Sequence, residues 1–266
     1  MKIAVYTICK NEEKHVARWL NSCKDADYII VADTGSTDNT RNLFWRAHDK
    51  EAANRKQLTC HDILIDPWRF DDAHNAALAL VPADADICIP LHLDEVLMPG
   101  WREALEKGWL PGTTKCFYTY VFSHNLDGSS ELEFLQNRIH ARRGYRWKYP
   151  DHEGVYPYDI QEVSVTIPDL RIEQYADRTK DRTGTLIRLA SAVREYPDDS
   201  RMAFYFGREL MYYQQWHAAL IHLERYMTIP IPPFPVERAQ AAAHIATCYQ
   251  QLQHVPMKSE STAALP

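Results

Sequence analysis

Four β-rich runs alternating with helical patterns over the first ~110 residues restrict what this chain can fold into more than any other feature. The runs are "KIAVYTI" (2–8), "DYIIVAD" (27–33), "LTCHDILI" (58–65) and "DICIPLHL" (86–93). Between the first two, Val16, Trp19, Leu20 and Cys23 recur at i, i+3, i+4 and i+7, one apolar face of a helix. Asn11 is expected to cap that helix, with Glu12 and Glu13 in its first turn, where the helix dipole favours acids. "TGSTDNT" (34–40) is a turn that opens a second helix, and "DDAHNAALALV" (71–81) reads as a third. Strands joined by such helical crossovers run parallel, so an α/β fold with a mostly parallel sheet is expected here.

The pattern changes from about residue 113. "TKCFYTYVFSH" (114–124) and "ELEFLQNRIH" (131–140) predict a hairpin turning at Asp127-Gly128, and "VSVTI" (163–167) a further strand. After about Asp177 the pattern is helical: "TGTLIRLASAVREYP", two helices in 200–227 and a third in 237–252. "FYFGRELMYYQQWHAALIHLERYMTIP" resembles a tetratricopeptide-type repeat. Gly207 would allow close helix approach, Ala219 lies twelve residues on, and Leu223 and Pro230 follow near the repeat's spacing. A plain helical hairpin is the other reading. The last residues, "VPMKSESTAALP", read as disordered.

Composition excludes several classes. No apolar run approaches the ~20 residues that cross a bilayer, and the N-terminus turns charged too early for a signal peptide. Six scattered cysteines without a C-x-x-C read as buried thiols of a reducing compartment, and a cytoplasmic location is expected. A net charge of −6 gives no general attraction to nucleic acid. The basic, aromatic stretch "NRIHARRGYRWKY" (137–149) is the local exception.

In an open α/β sheet, ligands bind beyond the carboxyl ends of the strands. Three polar groups fall at such ends: "TICKNEE" (7–13), Asp33 after "IIVA", and His92-Leu93-Asp94-Glu95. Asp33 is suited to receive a base N–H or a sugar hydroxyl, or simply to cap its own turn.

"YTICKNEEKHVARWLNSCKDADYIIVADTGSTDNT" resembles the nucleotide-binding half of family 2 glycosyltransferases, the inverting GT-A group. The likeness covers roughly residues 2–155 and, more loosely, the helical tail. It implies an α/β chain with a GT-A (Rossmann-like) mixed sheet flanked by helices, followed by an α-helical tetratricopeptide (TPR)-like tail. The expected division is a transferase domain at 1–176, a helical TPR-like region at 177–254 and a disordered tail at 255–266.

The resemblance further implies that Thr7, Asn11, Glu12 and Asp33 surround the nucleotide. "FDDAHNAAL" (70–78) stands at a Phe-x-x-Ala-Arg-Asn segment, so Asn75 matches and His74 replaces arginine. "LHLDE" (91–95) stands at "LDADE", where Asp94 and Glu95 match and His92 replaces aspartate; "DHEG" supplies a His-Glu pair, His152 and Glu153. A diphosphate leaving group needs charge neutralisation, so Asp94 and His152 are expected to hold Mn²⁺ or Mg²⁺, with His92 as a third candidate. Imidazole ligation favours Mn²⁺. His74 is placed near the donor phosphates and His92 near the metal or sugar, unless both have drifted in a weakened site.

Inversion needs a base on the acceptor side, for which Glu153 and Asp151 are the candidates, with Asp127 and Glu131 as alternatives. Arg142, Arg143, Arg146 and Trp147 would form an acceptor wall, though Trp147 is equally readable as core. The expected partners are a nucleotide-sugar donor, UDP-type favoured, and an acceptor glycan, protein or modified nucleic acid. A decayed nucleotide-sugar-binding scaffold is the alternative function. A nucleotidyltransferase fits less well, because "TICKNEE" lacks the glycine-rich basic loop such an enzyme would need.

Overall fold

Residues 3–9 and 28–33 are almost entirely buried, as expected of strands covered on both faces. In the computed structural model, which describes residues 1–51, 58–176, 184–230 and 235–254, they form the centre of the sheet. The strands are β1 (Ile3–Cys9), β2 (Tyr28–Asp33), β3 (Leu58–Asp62), β4 (Ile87–Pro90), β5 (Glu95–Leu97), β6 (Lys115–His124), β7 (Ser130–Ala141), β8 (Tyr145–Lys148), β9 (Gly154–Pro157) and β10 (Ser164–Gln174). Eight of them make one mixed sheet in the order β3-β2-β1-β4-β7-β6-β10-β5. The β3-β2-β1-β4 half is parallel; β7 runs antiparallel to both β4 and β6, and β5 antiparallel to β10. β8 and β9 form a separate antiparallel pair.

Alternation along β1 sorts the core into two layers. Ile3 and Val5 face Val16 and Trp19 of α1 (Glu13–Ser22), Phe44 of α2 (Thr40–Glu51), and Trp101 and Leu105 of α4 (Trp101–Gly108). Ala4 and Tyr6 face Ala77 and Leu78 of α3 (Phe70–Leu80) together with Tyr145, Trp147 and Val155 of the β8–β9 pair. That small pair thus covers the second face beside α3.

The chain separates into two units, Met1–Lys180 and Asp181–Pro266. The second holds α5 (Thr185–Glu195), α6 (Ser200–Tyr212), α7 (Trp216–Thr228) and α8 (Pro235–His254). A Cβ on Gly207 would lie 2.7 Å from Leu223 Cγ, so the glycine sets how closely α6 and α7 approach. The tail expected to be disordered, 255–266, lies outside the described residues. Among the described residues no helix is long and apolar enough to cross a membrane.

The local expectations need three corrections. Asn11 does not cap α1: Glu12 occupies that position without a side-chain cap, and Asn11 sits at φ 56° with its side chain turned to another loop. β3 ends at Asp62, short of residue 65. The strand at 163–167 is the start of an eleven-residue β10, which pairs with β6 in parallel across an irregularity between Ile167 and Arg171.

Candidate functional site

The β1 and β2 ends are joined by side chains acting on loop backbone. Asp33, 1% exposed, accepts through Oδ1 from the N–H groups of Gly35 (2.9 Å) and Ser36 (2.7 Å), while Cys9 Sγ lies 3.5 Å from Oδ2. It therefore caps its own turn, which Gly35 enters at φ 100°. Asn11 Oδ1 accepts from the Thr37 N–H (2.7 Å), and the Asn11 N–H donates to Ser36 Oγ (2.9 Å). Glu12 is buried and its N–H donates to Thr40 Oγ1. Thr7, also buried, donates its hydroxyl to the Ile8 carbonyl. These residues shape the rim on which the β2–α2 loop rests.

"LHLDE" folds back on itself after β4. The His92 N–H donates to Glu95 Oε2 (2.9 Å) and the Glu95 N–H to the His92 carbonyl (3.0 Å), closing a tight turn. Glu95 has no exposed surface and also accepts from Tyr120 Oη (2.7 Å) and Arg138 Nη2 (2.5 Å). Burial opposes its charge, but Arg138 and then His92 outweigh it and hold the carboxyl at about 2. Glu95 is thus a fixed anchor for the turn. Asp94, half-buried, accepts from Gln174 Nε2 (3.1 Å), and its carbonyl accepts from the Tyr175 N–H (2.7 Å).

Two more segments meet this turn. His74 on α3 lies 5.4 Å from His92 between ring centroids, and its Nε2 is 3.6 Å from Glu153 Oε1. The opposite face of His74 is set by Trp147, stacked at 4.1 Å with 16° between planes. Asn75 fixes that indole by accepting from the Trp147 N–H (2.9 Å) and donating to its carbonyl (3.0 Å). One donor atom from each of His74, His92 and Glu153 falls within 4.8 Å of the others. Burial is the largest influence on His74 and pushes its imidazole below the ordinary value, against the pull of Glu153. At Glu153 burial opposes charge, and the neighbouring His74 and His92 keep the carboxyl low.

Neither Asp94 nor His152 belongs to this three-donor group among the described residues. His152 has φ 52° and donates its N–H to Asp151 Oδ1 (3.0 Å); Asp151 is buried. Of the expected acceptor wall, Trp147 is 2% exposed and donates Nε1–H to Tyr6 Oη (2.7 Å), so its indole is enclosed. Arg142 donates to the Val81 carbonyl (3.1 and 2.8 Å). Arg143 and Arg146 are exposed, the latter 5.0 Å from the Tyr158 ring centroid. Arg138, the partner of Glu95, stands in the sequence only as one more cation of a basic run, with no local signal of that pairing.

No family model matches the chain. Over 166 residues it is 24% identical to the lipopolysaccharide core biosynthesis glycosyltransferase LpsC of Rhizobium meliloti (strain 1021), covering 59% of this chain and 58% of that protein. It thus spans little more than half the length of this relative. The crystal structure of S. aureus TarS matches 95% of this chain and 55% of that chain with a TM-score of 0.51 at 11% identity. A mannosyltransferase from Pyrobaculum calidifontis, solved with GDP-Man and Mn²⁺, covers 95% of this chain and 87% of that one at 13% identity and a TM-score of 0.47. The mixed sheet with flanking helices is similar to the GT-A, Rossmann-like fold, and the sequence is similar to a lipopolysaccharide-core glycosyltransferase.

Proposed function

We propose that the chain is an inverting glycosyltransferase of the family 2 kind, moving a sugar from a nucleoside diphosphate donor to an acceptor hydroxyl. The observation that carries this reading is the convergence of "FDDAHN", "LHLDE" and "DHEG" at His74, His92 and Glu153, although the segments are far apart in sequence. The GT-A-type sheet and the likeness to LpsC support it. A divalent cation, Mn²⁺ or Mg²⁺, would supply Lewis-acid neutralisation of the departing diphosphate. Asp94 and His152 would hold that cation once the donor diphosphate is bound, and Asp33 would lie beside a uracil-type base. Asp151 or Glu153 removes the acceptor proton. Likeness to LpsC favours a glycan acceptor over a protein or a modified base. The helical unit is proposed as a TPR-like surface for a partner or the acceptor.

Thermal unfolding with UDP, dTDP, GDP, CDP and ADP, each with and without Mn²⁺, tests the donor site. A nucleotide at a hundred times its dissociation constant adds ~2.7 kcal/mol and raises the midpoint by a few degrees. A cation-dependent rise with one nucleotide, followed by release of that diphosphate from the matching sugar donor, supports the reading. Binding without turnover would instead make the chain a sugar-nucleotide-binding scaffold, and no rise with any nucleotide would remove the donor site.

A further inference from the structure

The region around His74 holds a second feature that nucleotide chemistry does not explain. His74 is 1% exposed, and neither of its ring nitrogens has a hydrogen-bond partner among the described residues. A buried imidazole ordinarily spends at least one nitrogen on a partner, because a stranded polar group loses its hydration without replacement. The ring is also held in place, stacked on Trp147, whose peptide is clamped by Asn75. A rigid, buried and unmet ligand-type nitrogen points toward Glu153.

We propose that His74, His92 and Glu153 form a binding site for one first-row divalent transition-metal ion of the Zn²⁺, Co²⁺ or Mn²⁺ class. Two imidazoles and one carboxylate suit such ions better than Mg²⁺, which prefers an all-oxygen shell. Donors around Zn²⁺ sit about 3.4 Å apart, given metal–ligand bonds of about 2.0–2.2 Å. His74 Nε2 and Glu153 Oε1 are already 3.6 Å apart, and all three donors fall within 4.8 Å, so a small turn of the more exposed His92 closes the set. Side-chain exposure of 31% at His92 gives an ion access.

The surroundings match those of a ligating histidine, whose second nitrogen usually faces a carboxylate. His92 Nδ1 lies 3.7 Å from Glu95 Oε1, and Tyr120 and Arg138 hold that carboxylate in place. Three protein donors leave at least one coordination position open for water or a ligand oxygen. The inference concerns the cation alone and stands whether or not the chain transfers sugars. If it does, Glu153 is taken by the ion and Asp151 is left as the base.

The test titrates metal-free protein with Zn²⁺ and Co²⁺ by calorimetry and by cobalt visible absorption. Pulsed EPR of the Cu²⁺-loaded wild type counts coordinated imidazoles and needs no variant. With no nucleotide present, we expect one ion per chain and two imidazoles. His92→Ala and Glu153→Gln should each weaken Zn²⁺ binding at least about tenfold, with unchanged circular dichroism. His61→Ala, on β3 and outside the cluster, should retain it within about threefold. The proposal is overturned if the wild type binds none of these ions. It is equally overturned by a single imidazole with binding lost in Asp94→Asn and His152→Ala but kept in His92→Ala. Donor binding is read separately with the nucleotide panel, so failure of the metal site and failure of the transferase reading are distinguishable.

Discussion

The indole of Trp147 lies flat on the imidazole of His74, 4.1 Å away with 16° between the rings. That indole also begins a hydrogen-bonded chain into the core. Its Nε1–H donates to Tyr6 Oη, Tyr6 pairs with His140 Nε2 at 3.1 Å, and His140 Nδ1 meets the Ala141 carbonyl at 2.7 Å. The position of His74 is therefore fixed by groups on α3, β8 and β1 together.

Asn75 is the clamp on that arrangement. Asn75→Ala leaves the Trp147 N–H and carbonyl without their partners, at an expected cost of about 1–3 kcal/mol in urea unfolding. Asn75→Asp keeps only the acceptor half and should fall between the two. Unchanged stability in Asn75→Ala would show that the Trp147 peptide is held by something else.

Glu95 and Arg138 stand or fall as a pair. Glu95→Gln strands a guanidinium that is 11% exposed and should cost about 3–5 kcal/mol. Replacing both residues, as Glu95→Gln with Arg138→Met, should recover part of that loss. A double variant no more stable than the single one would mean that the ion pair does not account for the cost.

His140 should make stability depend on pH. Burial, with Lys115 and Arg142 nearby, brings it from 6.5 down to about 4, despite the Ala141 carbonyl. The unfolded chain takes up this proton below about pH 6.5 and the native one only near 4, so stability present above 6.5 is lost as pH falls through that window. The loss is about 3 kcal/mol. His140→Phe should flatten this part of the profile, measured as urea midpoints from pH 7.5 to 4.5.

Asp94→Asn keeps the acceptor for Gln174 but removes a charge. Diphosphate release from a nucleotide sugar should fall by about a hundredfold or more with the unfolding midpoint unchanged. Wild-type turnover would free Asp94 from the cation role. His92→Asp should raise cation-dependent turnover if the histidine is a drifted ligand, and lower it if the imidazole has its own task.

Gly207→Ala sets a methyl group 2.7 Å from Leu223 Cγ, in a packed contact between α6 and α7. A loss of about 1–3 kcal/mol is expected in the unfolding of the helical unit. Leu223→Ala in the same chain should relieve the clash, although it adds a cavity cost of its own.

The parallel half of the sheet was readable because β1, β2 and β4 are buried on both faces and leave unbroken apolar runs. β5, β8 and β9 have three or four residues each, too few for a period to emerge. Asn11 could serve either as a cap or in a left-handed turn, and only the approach of the Thr37 amide decides between them. Asp33 likewise suits a ligand or its own loop, and Oδ1 is spent on the loop. The cluster segments stood out by residue type, but His74 and Glu153 lie 79 positions apart in sequence, and nothing local announces that they meet.

The turn at 91–94 leaves β4 in the middle of the sheet and delivers β5 to its far edge, where β10 is its neighbour. Ribosomal synthesis runs from the N-terminus, so β5 emerges about seventy residues before the strand it pairs with. Until then the far end of the turn is held through Glu95 by Tyr120 and Arg138, while Asp94 lacks its contacts with Gln174 and Tyr175. A nascent chain therefore gathers the residues of this site in two stages, and Asp94 is the last to be braced, once Gln174 and Tyr175 have been made.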